Sequence, residues 1–341
     1  MHGGDIYSHR VELDFSVNVN PIELPESVKE ALRLASEECT KYPDIENRDL
    51  KKALAEFYCL KEDNLILGNG ASELFMAIMH AYKPKSVLMP APCYTGYEHV
   101  IKAIEAKTVY YKTKEEDGYR LTEDFLKGVD TKVDMVILTN PGNPVGSLID
   151  ADLLTEILDK CISLKIPVIM DECFIEFTGK EENSCITKIE EYPNLILVRA
   201  FTKFYSMPGV RLGFAVTSNE LAKKQLQNQL PEWNISIFAA RAGVAALNEK
   251  TCFASFLPVM EKEKALLSER TGKLGMAFYP SDANFLMFKS KCDIHNPLLN
   301  RGILIRELSD VAGLSKGHYR LGIKMHEDNV RLTKALEEIC L

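Results

Sequence analysis

Short apolar runs that alternate with helical patterns constrain the fold of this chain more than any other feature. Seven such runs lie between Asn64 and Val216: NLIL, SVLM, TVYY, MVILT, PVIMD, LILVRA and LGFAV. Their residues are mostly apolar, which is typical of strands covered on both faces. Helical patterns such as Ser72–Ala81 and Ala151–Leu164 separate them. The alternation predicts an α/β fold with a mostly parallel, helix-covered sheet of seven strands.

The two ends of the chain have a different pattern. Two helical patterns, Pro25–Ser36 and Arg48–Tyr58, precede the first strand of the predicted sheet. After Pro231 come two further helical patterns, three short strands and a closing helix: Phe238–Leu247, Phe256–Thr271, Ala283–Phe288, Ile303–Glu307, Tyr319–Ile323 and a helix from His326. This arrangement predicts a smaller α+β domain. We expect residues 41–231 to form the large domain, and residues 1–40 and 232–341 to form the small one.

Composition and charge exclude several classes of protein. The 341 residues carry 41 Lys and Arg against 49 Asp and Glu, a net charge of −8, so a nucleic-acid partner is not expected. No apolar run is long enough to span a membrane, and the N-terminus lacks the apolar core of a signal peptide. The nine cysteines form no CxxC pair, which favours reduced thiols over zinc ligands or disulfides. We therefore expect a cytoplasmic protein without a metal.

The residues that follow the predicted strands indicate where the chemistry lies. Ligands of open α/β sheets bind at the carboxyl ends of the strands. The turn GNGASE at positions 68–73 opens a helix and leaves backbone N–H groups for a phosphate. Asn143 lies in the turn NPGNPVG, where its amide can donate to a ligand oxygen. Asp171 ends an apolar strand, and burial of its carboxylate requires a cationic partner.

Two further strand ends complete the pattern. Tyr94 follows the run SVLM and can stack on a planar ring. Lys203 follows LILVRA in apolar and aromatic company, where desolvation favours the neutral, nucleophilic amine. Arg211 follows eight residues later, after a Pro-Gly turn. A phosphate turn, an aromatic ring, an asparagine, an aspartate, a lysine and an arginine, in this order, match the needs of pyridoxal 5'-phosphate.

With these motifs the whole chain resembles the aspartate-aminotransferase superfamily, the pyridoxal-phosphate enzymes of fold type I. The resemblance implies that Lys203, in FTKFYSMPGVRLGF, bonds to the cofactor's aldehyde and that Asp171 pairs with its ring nitrogen. Together with Tyr94, which stacks on the ring, these residues are the expected catalytic set. The resemblance further implies that O3' and the phosphate of the cofactor are bound by Asn143, Gly70, Ala71, Ser72, Thr202 and Arg211. Tyr42, in KYPD, resembles a tyrosine that reaches the phosphate of the neighbouring subunit's cofactor, which implies a homodimer.

Two branches of the superfamily are similar to this chain, the threonine-phosphate decarboxylases of cobalamin biosynthesis and the histidinol-phosphate aminotransferases. HGGD at positions 2–5, LDFSVNVNP at positions 13–21, Phe174 in DECFIEF and Arg306 in ILIRE resemble the decarboxylase branch more closely. Ala200 departs from the superfamily pattern, which usually has a phosphate-binding serine there. The resemblance implies a phosphorylated amino acid or amine as substrate, most consistent with L-threonine O-3-phosphate. Its anions are expected to contact five residues: His2, Asn18, Asn20, Arg306 and Arg320.

Three alternatives remain at this point. An aminotransferase for histidinol phosphate or an aromatic amino acid would need a 2-oxo acid such as 2-oxoglutarate as acceptor. A non-catalytic pyridoxal-phosphate sensor fused to a regulator is disfavoured, because the acidic chain has no spare N-terminal segment for a DNA-binding module. A nicotinamide-linked dehydrogenase would fit an α/β chain, but GxGxxG is absent and Lys203 and Asp171 would have no role.

Overall fold

The computed structural model describes residues 3–341, apart from the side chain of Glu181. The strands of this part of the chain are, in order, β1 (Leu13–Asp14), β2 (Leu65–Gly68), β3 (Ser86–Ala91), β4 (Lys107–Lys112), β5 (Met135–Thr139), β6 (Val168–Asp171), β7 (Leu195–Ala200), β8 (Gly213–Val216), β9 (Ala277–Phe278), β10 (Phe285–Lys289), β11 (Ile303–Leu304), β12 (Arg306–Glu307) and β13 (His318–Gly322).

The α-helices lie mostly where the apolar periodicity predicts them. They are α1 (Glu26–Glu37), α2 (Arg48–Tyr58), α3 (Ala71–Tyr82), α4 (Gly96–Ala103), α5 (Ala151–Ser163), α6 (Glu220–Gln227), α7 (Ile237–Asn248), α8 (Lys250–Ala254), α9 (Phe256–Gly272), α10 (His295–Leu299) and α11 (His326–Cys340). The sequence patterns did not single out α4, α6, α8 and α10, which have eight residues or fewer. Such short segments carry too few turns for a clear helical period.

A seven-stranded sheet forms the centre of the molecule, with the strand order β2-β8-β7-β6-β5-β3-β4. The neighbours from β7 to β4 pair in parallel, whereas β8 runs antiparallel to both β2 and β7. Strands β5 and β7 have the bounds that the apolar runs predict. The predicted α/β fold with a mostly parallel seven-stranded sheet is therefore confirmed.

Helices cover both faces of this sheet. Side chains of successive residues in a strand point to opposite faces, and β5 shows the result. Val136 and Leu138 belong to one apolar cluster, together with Ile157 of α5. Ile137 belongs to a second cluster, together with Ile78 of α3. Because both faces are covered, the polar side chains at the strand ends are left to face the edge of the sheet.

The C-terminal third forms an antiparallel sheet in the order β12-β13-β10-β9, and α11 packs against α9 beside it. The run expected to form one strand over Ile303–Glu307 is divided between two sheets. Its first half, β11, pairs in parallel with β1, and its second half, β12, pairs with β13.

The assignment of residues 41–231 to a large domain, and of residues 1–40 with 232–341 to a small one, stays a prediction. Within residues 3–341, no helix has the length and apolarity needed to cross a membrane.

Candidate active site

A cavity of about 340 Å³ opens at the carboxyl ends of the parallel strands. It brings together residues from the strand ends of the large sheet, from the N-terminal segment and from the small antiparallel sheet. The residues expected from the sequence that line it are Asn18, Ala71, Ser72, Tyr94, Asn143, Asp171, Thr202, Lys203, Arg211, Arg306 and Arg320. Positions far apart in the chain thus meet where the topology of the sheet predicts a ligand site.

Asp171, the last residue of β6, is a buried carboxylate without a cationic side-chain partner among the described residues. Its Oδ2 accepts a hydrogen bond of 2.5 Å from the hydroxyl of Tyr97, and its Oδ1 accepts one of 2.9 Å from the backbone N–H of Cys173. Burial raises the pKa of Asp171, whereas these hydrogen bonds lower it. A buried carboxylate with only neutral donors is stabilised by a positively charged ligand, which a protonated pyridine nitrogen provides.

Tyr97 is a site residue that the sequence analysis missed. It is buried in α4, and its hydroxyl also shares a hydrogen bond of 2.8 Å with Oγ1 of Thr139 at the end of β5. Burial and the charge of Asp171 raise the pKa of Tyr97 well above its usual value, so the phenol stays a donor. The sequence could have indicated this role, because Tyr97 follows Tyr94 by three residues and therefore lies near the same edge of the sheet.

Lys203 lies in the loop after β7, with its Nζ 6.0 Å from the ring centroid of Phe174. Burial, together with the positive charges of Arg320 and Arg211, lowers the pKa of Lys203 to about 8. Its amine makes no hydrogen bond or ion pair with the described side chains. A lysine in this state supplies a neutral amine near physiological pH, which is the form that attacks an aldehyde.

One end of the cavity is built for an anion. Helix α3 begins at Ala71, and Ala71, Ser72 and Arg211 all line the cavity. Gly70 adopts φ +79, and a Cβ at this position would lie 2.5 Å from Nη2 of Arg211. Gly70 therefore touches Arg211 rather than lining the cavity. The N-terminus of a helix next to an arginine is a favourable site for a phosphate.

Tyr94 lies at the wall of the cavity, and Asn143 links the two sides of the site. The ring of Tyr94 is 36% exposed and meets Tyr97 edge-on, with ring centroids 5.4 Å apart. Gly96 makes room for it, because a Cβ there would overlap the ring of Tyr94. Oδ1 of Asn143 accepts a hydrogen bond of 2.6 Å from Arg320, which leaves the amide N–H groups of Asn143 for a ligand oxygen.

Two arginines form the other end of the cavity. Arg306 of β12 and Arg320 of β13 are directly opposed in the antiparallel pair, so their side chains emerge on the same face. Nη2 of Arg306 donates to both carboxylate oxygens of Asp310, at 2.9 and 3.1 Å. Arg320 donates to Asn143 and, at 2.7 Å, to the carbonyl of Ser16. With its amide oxygen turned towards Arg320, Asn18 accepts from Nε and Nη1 at 3.3 Å.

Arg320 is therefore held by neutral oxygens, and it forms no ion pair with the residues that the structure describes. Burial and the charge of Arg306 lower its pKa to about 9, which still leaves the guanidinium charged at neutral pH. Two neighbouring positive charges in a cavity destabilise each other unless an anion binds between them. The geometry thus favours a ligand with carboxylate or phosphate groups at this end.

Other expected site residues lie elsewhere. Asn20 is predicted to contact the substrate; in the structure its side chain donates to the carbonyls of Phe204 and Phe253, at 2.9 and 3.0 Å, and does not line the cavity. Tyr42 is 80% exposed and packs on Trp233, with ring centroids 4.9 Å apart, away from the cavity of its own chain. His2 lies outside the described residues. Ala200 does not line the cavity, whereas the neighbouring Thr202 does.

Comparison with known proteins agrees with this geometry. The family model for aminotransferase class I and II matches residues 10–339. The threonine-phosphate decarboxylase of Salmonella typhimurium is 31% identical, over 96% of this chain and 91% of its own length. Histidinol-phosphate aminotransferase 2 of Archaeoglobus fulgidus is 33% identical, over 96% of this chain and 93% of its own length.

A solved structure shows the same fold. The histidinol-phosphate aminotransferase of Clostridium acetobutylicum superposes with a TM-score of 0.90 at 30% identity, covering 96% of this chain and 98% of that one. The cavity fits the cofactor of such enzymes, since it offers an anion site, a buried carboxylate and an unpaired amine. The chain belongs to the class I and II aminotransferase family and is a pyridoxal-phosphate-dependent enzyme.

Proposed function

We propose that this enzyme removes the carboxyl group of a phosphorylated amino acid, L-threonine O-3-phosphate. The observation that carries the proposal is Arg320, a cavity-lining arginine held only by neutral oxygens and directly opposed to Arg306. A substrate with both a phosphate and an α-carboxylate supplies the anions that such a pair binds. The choice of L-threonine O-3-phosphate rests on the threonine-phosphate decarboxylase among the relatives.

We assign the cofactor contacts to the residues at the strand ends. Lys203 would bond to the aldehyde, Asp171 would pair with the ring nitrogen, and Tyr94 would stack on the ring. Asn143 would donate to O3', and Ala71, Ser72, Thr202 and Arg211 would hold the phosphate, with Gly70 leaving room for the guanidinium of Arg211. When bound, pyridoxal phosphate accepts the electrons of a bond that is cleaved at the substrate's α-carbon.

The remaining steps depend on side chains of this chain. The position in which the arginines hold the α-carboxylate decides which bond at the α-carbon is cleaved, so Arg306 and Arg320 determine the reaction. Asn18 contributes to this end of the site through its contact with Arg320. Lys203 has a pKa of about 8 and can therefore accept and return a proton near neutral pH.

We further propose that the enzyme is a homodimer in which Tyr42 contacts the cofactor phosphate of the neighbouring subunit. Tyr42 and Trp233 form an exposed aromatic pair, 80% and 42% exposed, outside the cavity of their own chain. Large exposed aromatic side chains of this kind are enriched in interfaces. The nine free cysteines fit a reducing compartment, so we place the enzyme in the cytoplasm.

A second candidate is an aminotransferase for histidinol phosphate. It is favoured by relatives of that function that match this chain over a similar length, and by the TM-score of 0.90 to one of them. In that reaction the arginines would bind the phosphate of histidinol phosphate and the carboxylates of the 2-oxo acid in turn. Both candidates use the same cavity and differ in the need for an acceptor.

The two candidates are separated by measuring CO₂ release from L-threonine O-3-phosphate with no 2-oxo acid present. The decarboxylase is expected to release one CO₂ for each 1-aminopropan-2-yl phosphate formed. L-Threonine without the phosphate is the matched control and should react far more slowly, because it offers the two arginines one anionic group fewer to bind. No CO₂ from an enzyme that retains the visible absorbance of its lysine-bound cofactor refutes the proposal. Transfer of the amino group from histidinol phosphate to 2-oxoglutarate would then support the second candidate.

A further inference from the structure

A buried group of charged side chains lies next to the site, and the function proposed above does not use it. Nη2 and Nε of Arg199 donate to Oε2 of Glu172, at 2.8 and 3.2 Å, and Nη1 donates to Oε1 of Glu176 at 3.4 Å. The side chains of Arg199, Glu172 and Glu176 are 5%, 0% and 10% exposed. None of the three lines the cavity. We call these residues the buried charge cluster.

Several polar groups hold the cluster in one arrangement. The carboxylate of Glu172 accepts hydrogen bonds of 2.6 Å from Oγ of Ser184 and from the backbone N–H of Cys185. Nη2 of Arg199 also donates to Oγ of Ser184 at 2.6 Å. The guanidinium lies over the ring of Tyr58, 4.9 Å from its centroid. Each end of the central ion pair therefore has more than one partner, which fixes its orientation.

The cluster is connected directly to the two residues expected to perform the chemistry. Glu172 follows Asp171, and its backbone N–H donates to the carbonyl of Val198 at 2.9 Å, which extends the pairing of β6 with β7. Arg199 lies on β7, four residues before Lys203. Because successive strand residues point to opposite faces, Asp171 faces the cavity while Glu172 faces Arg199. The ion pair thus joins the two strand ends from the side opposite the cofactor.

The cluster also affects the charges around Asp171. Burial raises the pKa of Asp171, and the adjacent charge of Glu172 raises it further. Burial alone would lower the pKa of Arg199, but Glu172 and Glu176 raise it, so Arg199 keeps its positive charge. Burial likewise raises the pKa of Glu176, whereas the charge of Arg199 lowers it. The other titratable groups that act on Asp171 are Tyr94, Tyr97, Cys173 and Lys203.

We propose, on the basis of the function proposed above, that Arg199 and Glu172 are positioning residues for the cofactor site. Their ion pair holds the ends of β6 and β7 in register, so that Asp171 and Lys203 keep fixed places in the cavity. Arg199 also cancels the negative charge of Glu172 beside Asp171. Neither residue touches substrate or cofactor, and both act through their neighbours in the chain.

The test is a pH titration of the visible absorbance of the lysine-bound cofactor. The midpoint of this titration reports the protonation of the cofactor independently of activity. Arg199→Met leaves Glu172 without its partner, and this uncompensated negative charge should raise the midpoint by about one pH unit or more. Glu172→Gln leaves Arg199 in excess and should lower the midpoint. The double variant with Arg199→Met and Glu172→Gln removes both charges, so its midpoint should be close to that of the natural protein. A merely structural role gives no pair of shifts with opposite sign.

Three further variants make the outcome decisive. Arg241→Met removes an arginine that is 48% exposed and pairs with Glu38, and it should leave the midpoint unchanged. Arg199→Lys keeps the charge and should also leave it nearly unchanged. If Arg199→Met does not fold, the downward shift in the near-isosteric Glu172→Gln variant still tests the proposal. The variant Asp171→Asn is expected to shift the midpoint. If it does, and if Arg199→Met and Glu172→Gln shift the midpoint in the same direction or not at all, the proposal is overturned. If Asp171→Asn shifts nothing, the assignment of Asp171 to the cofactor fails instead.

Discussion

Replacing Gly70 with alanine is expected to weaken cofactor binding and leave the fold intact. Gly70 has φ +79 and ψ 165, a backbone conformation that costs a residue with a Cβ about 1–3 kcal/mol. The added Cβ would lie 2.5 Å from Nη2 of Arg211. Because the guanidinium ends a flexible side chain, it moves away more readily than the backbone of α3 does. The displaced guanidinium no longer lies beside the helix N-terminus where we place the cofactor phosphate.

The size of the effect follows from the contact that is lost. A hydrogen bond to a charged group contributes about 1.5–3 kcal/mol. At about 1.4 kcal/mol per factor of ten, loss of the Arg211 contact raises the dissociation constant of pyridoxal phosphate about 10- to 100-fold. The backbone strain lowers the free energy of unfolding of the cofactor-free protein by about 1–3 kcal/mol.

Titration of the cofactor-free protein with pyridoxal phosphate, followed by absorbance, gives the dissociation constant, and chemical denaturation gives the free energy of unfolding. Gly209→Ala is the matched control. It adds the same methyl group two residues before Arg211, at a position where a Cβ meets nothing within 4 Å. A Gly70→Ala variant that binds the cofactor as tightly as Gly209→Ala does would refute the assignment of this end of the cavity to the phosphate.

Three more predictions concern side chains whose environments the structure defines. Burial lowers the pKa of Lys203 to about 8, so the rate of cofactor uptake, followed by stopped-flow absorbance, should rise with pH and level off above about pH 8. A rate that still rises near pH 10, where an ordinary lysine titrates, would contradict this expectation. Asp171→Ala should lower the turnover rate by several orders of magnitude in a steady-state assay, and a mild loss would argue against a protonated ring nitrogen. Asn20→Ala leaves the carbonyls of Phe204 and Phe253 without their donor, so the free energy of unfolding should fall by about 2–5 kcal/mol in chemical denaturation. The KM of this variant should stay unchanged, and a raised KM with normal stability would restore Asn20 to the substrate site.

The sequence by itself determined the architecture and the location of the chemistry. Largely apolar runs such as Met135–Thr139 and Leu195–Ala200 match strands that helices cover on both faces. Because the parallel strands end at one edge of the sheet, the order of the runs was sufficient to bring Asp171 and Lys203 to the same cavity. These inferences succeed because backbone periodicity and sheet topology depend on patterns of residue type rather than on individual contacts.

Tertiary structure alone decided which partner each polar side chain has. Tyr97 reads in the sequence as an ordinary aromatic residue, yet its hydroxyl bonds to Asp171, 74 positions along the chain. Asn20 reads as a site residue, but its amide satisfies backbone carbonyls of Phe204 and Phe253 instead. A hydrogen bond depends on a few tenths of an ångström and on a suitable angle between groups from distant segments. Local sequence patterns do not contain that information, and it appears only when the packed core has set the distances.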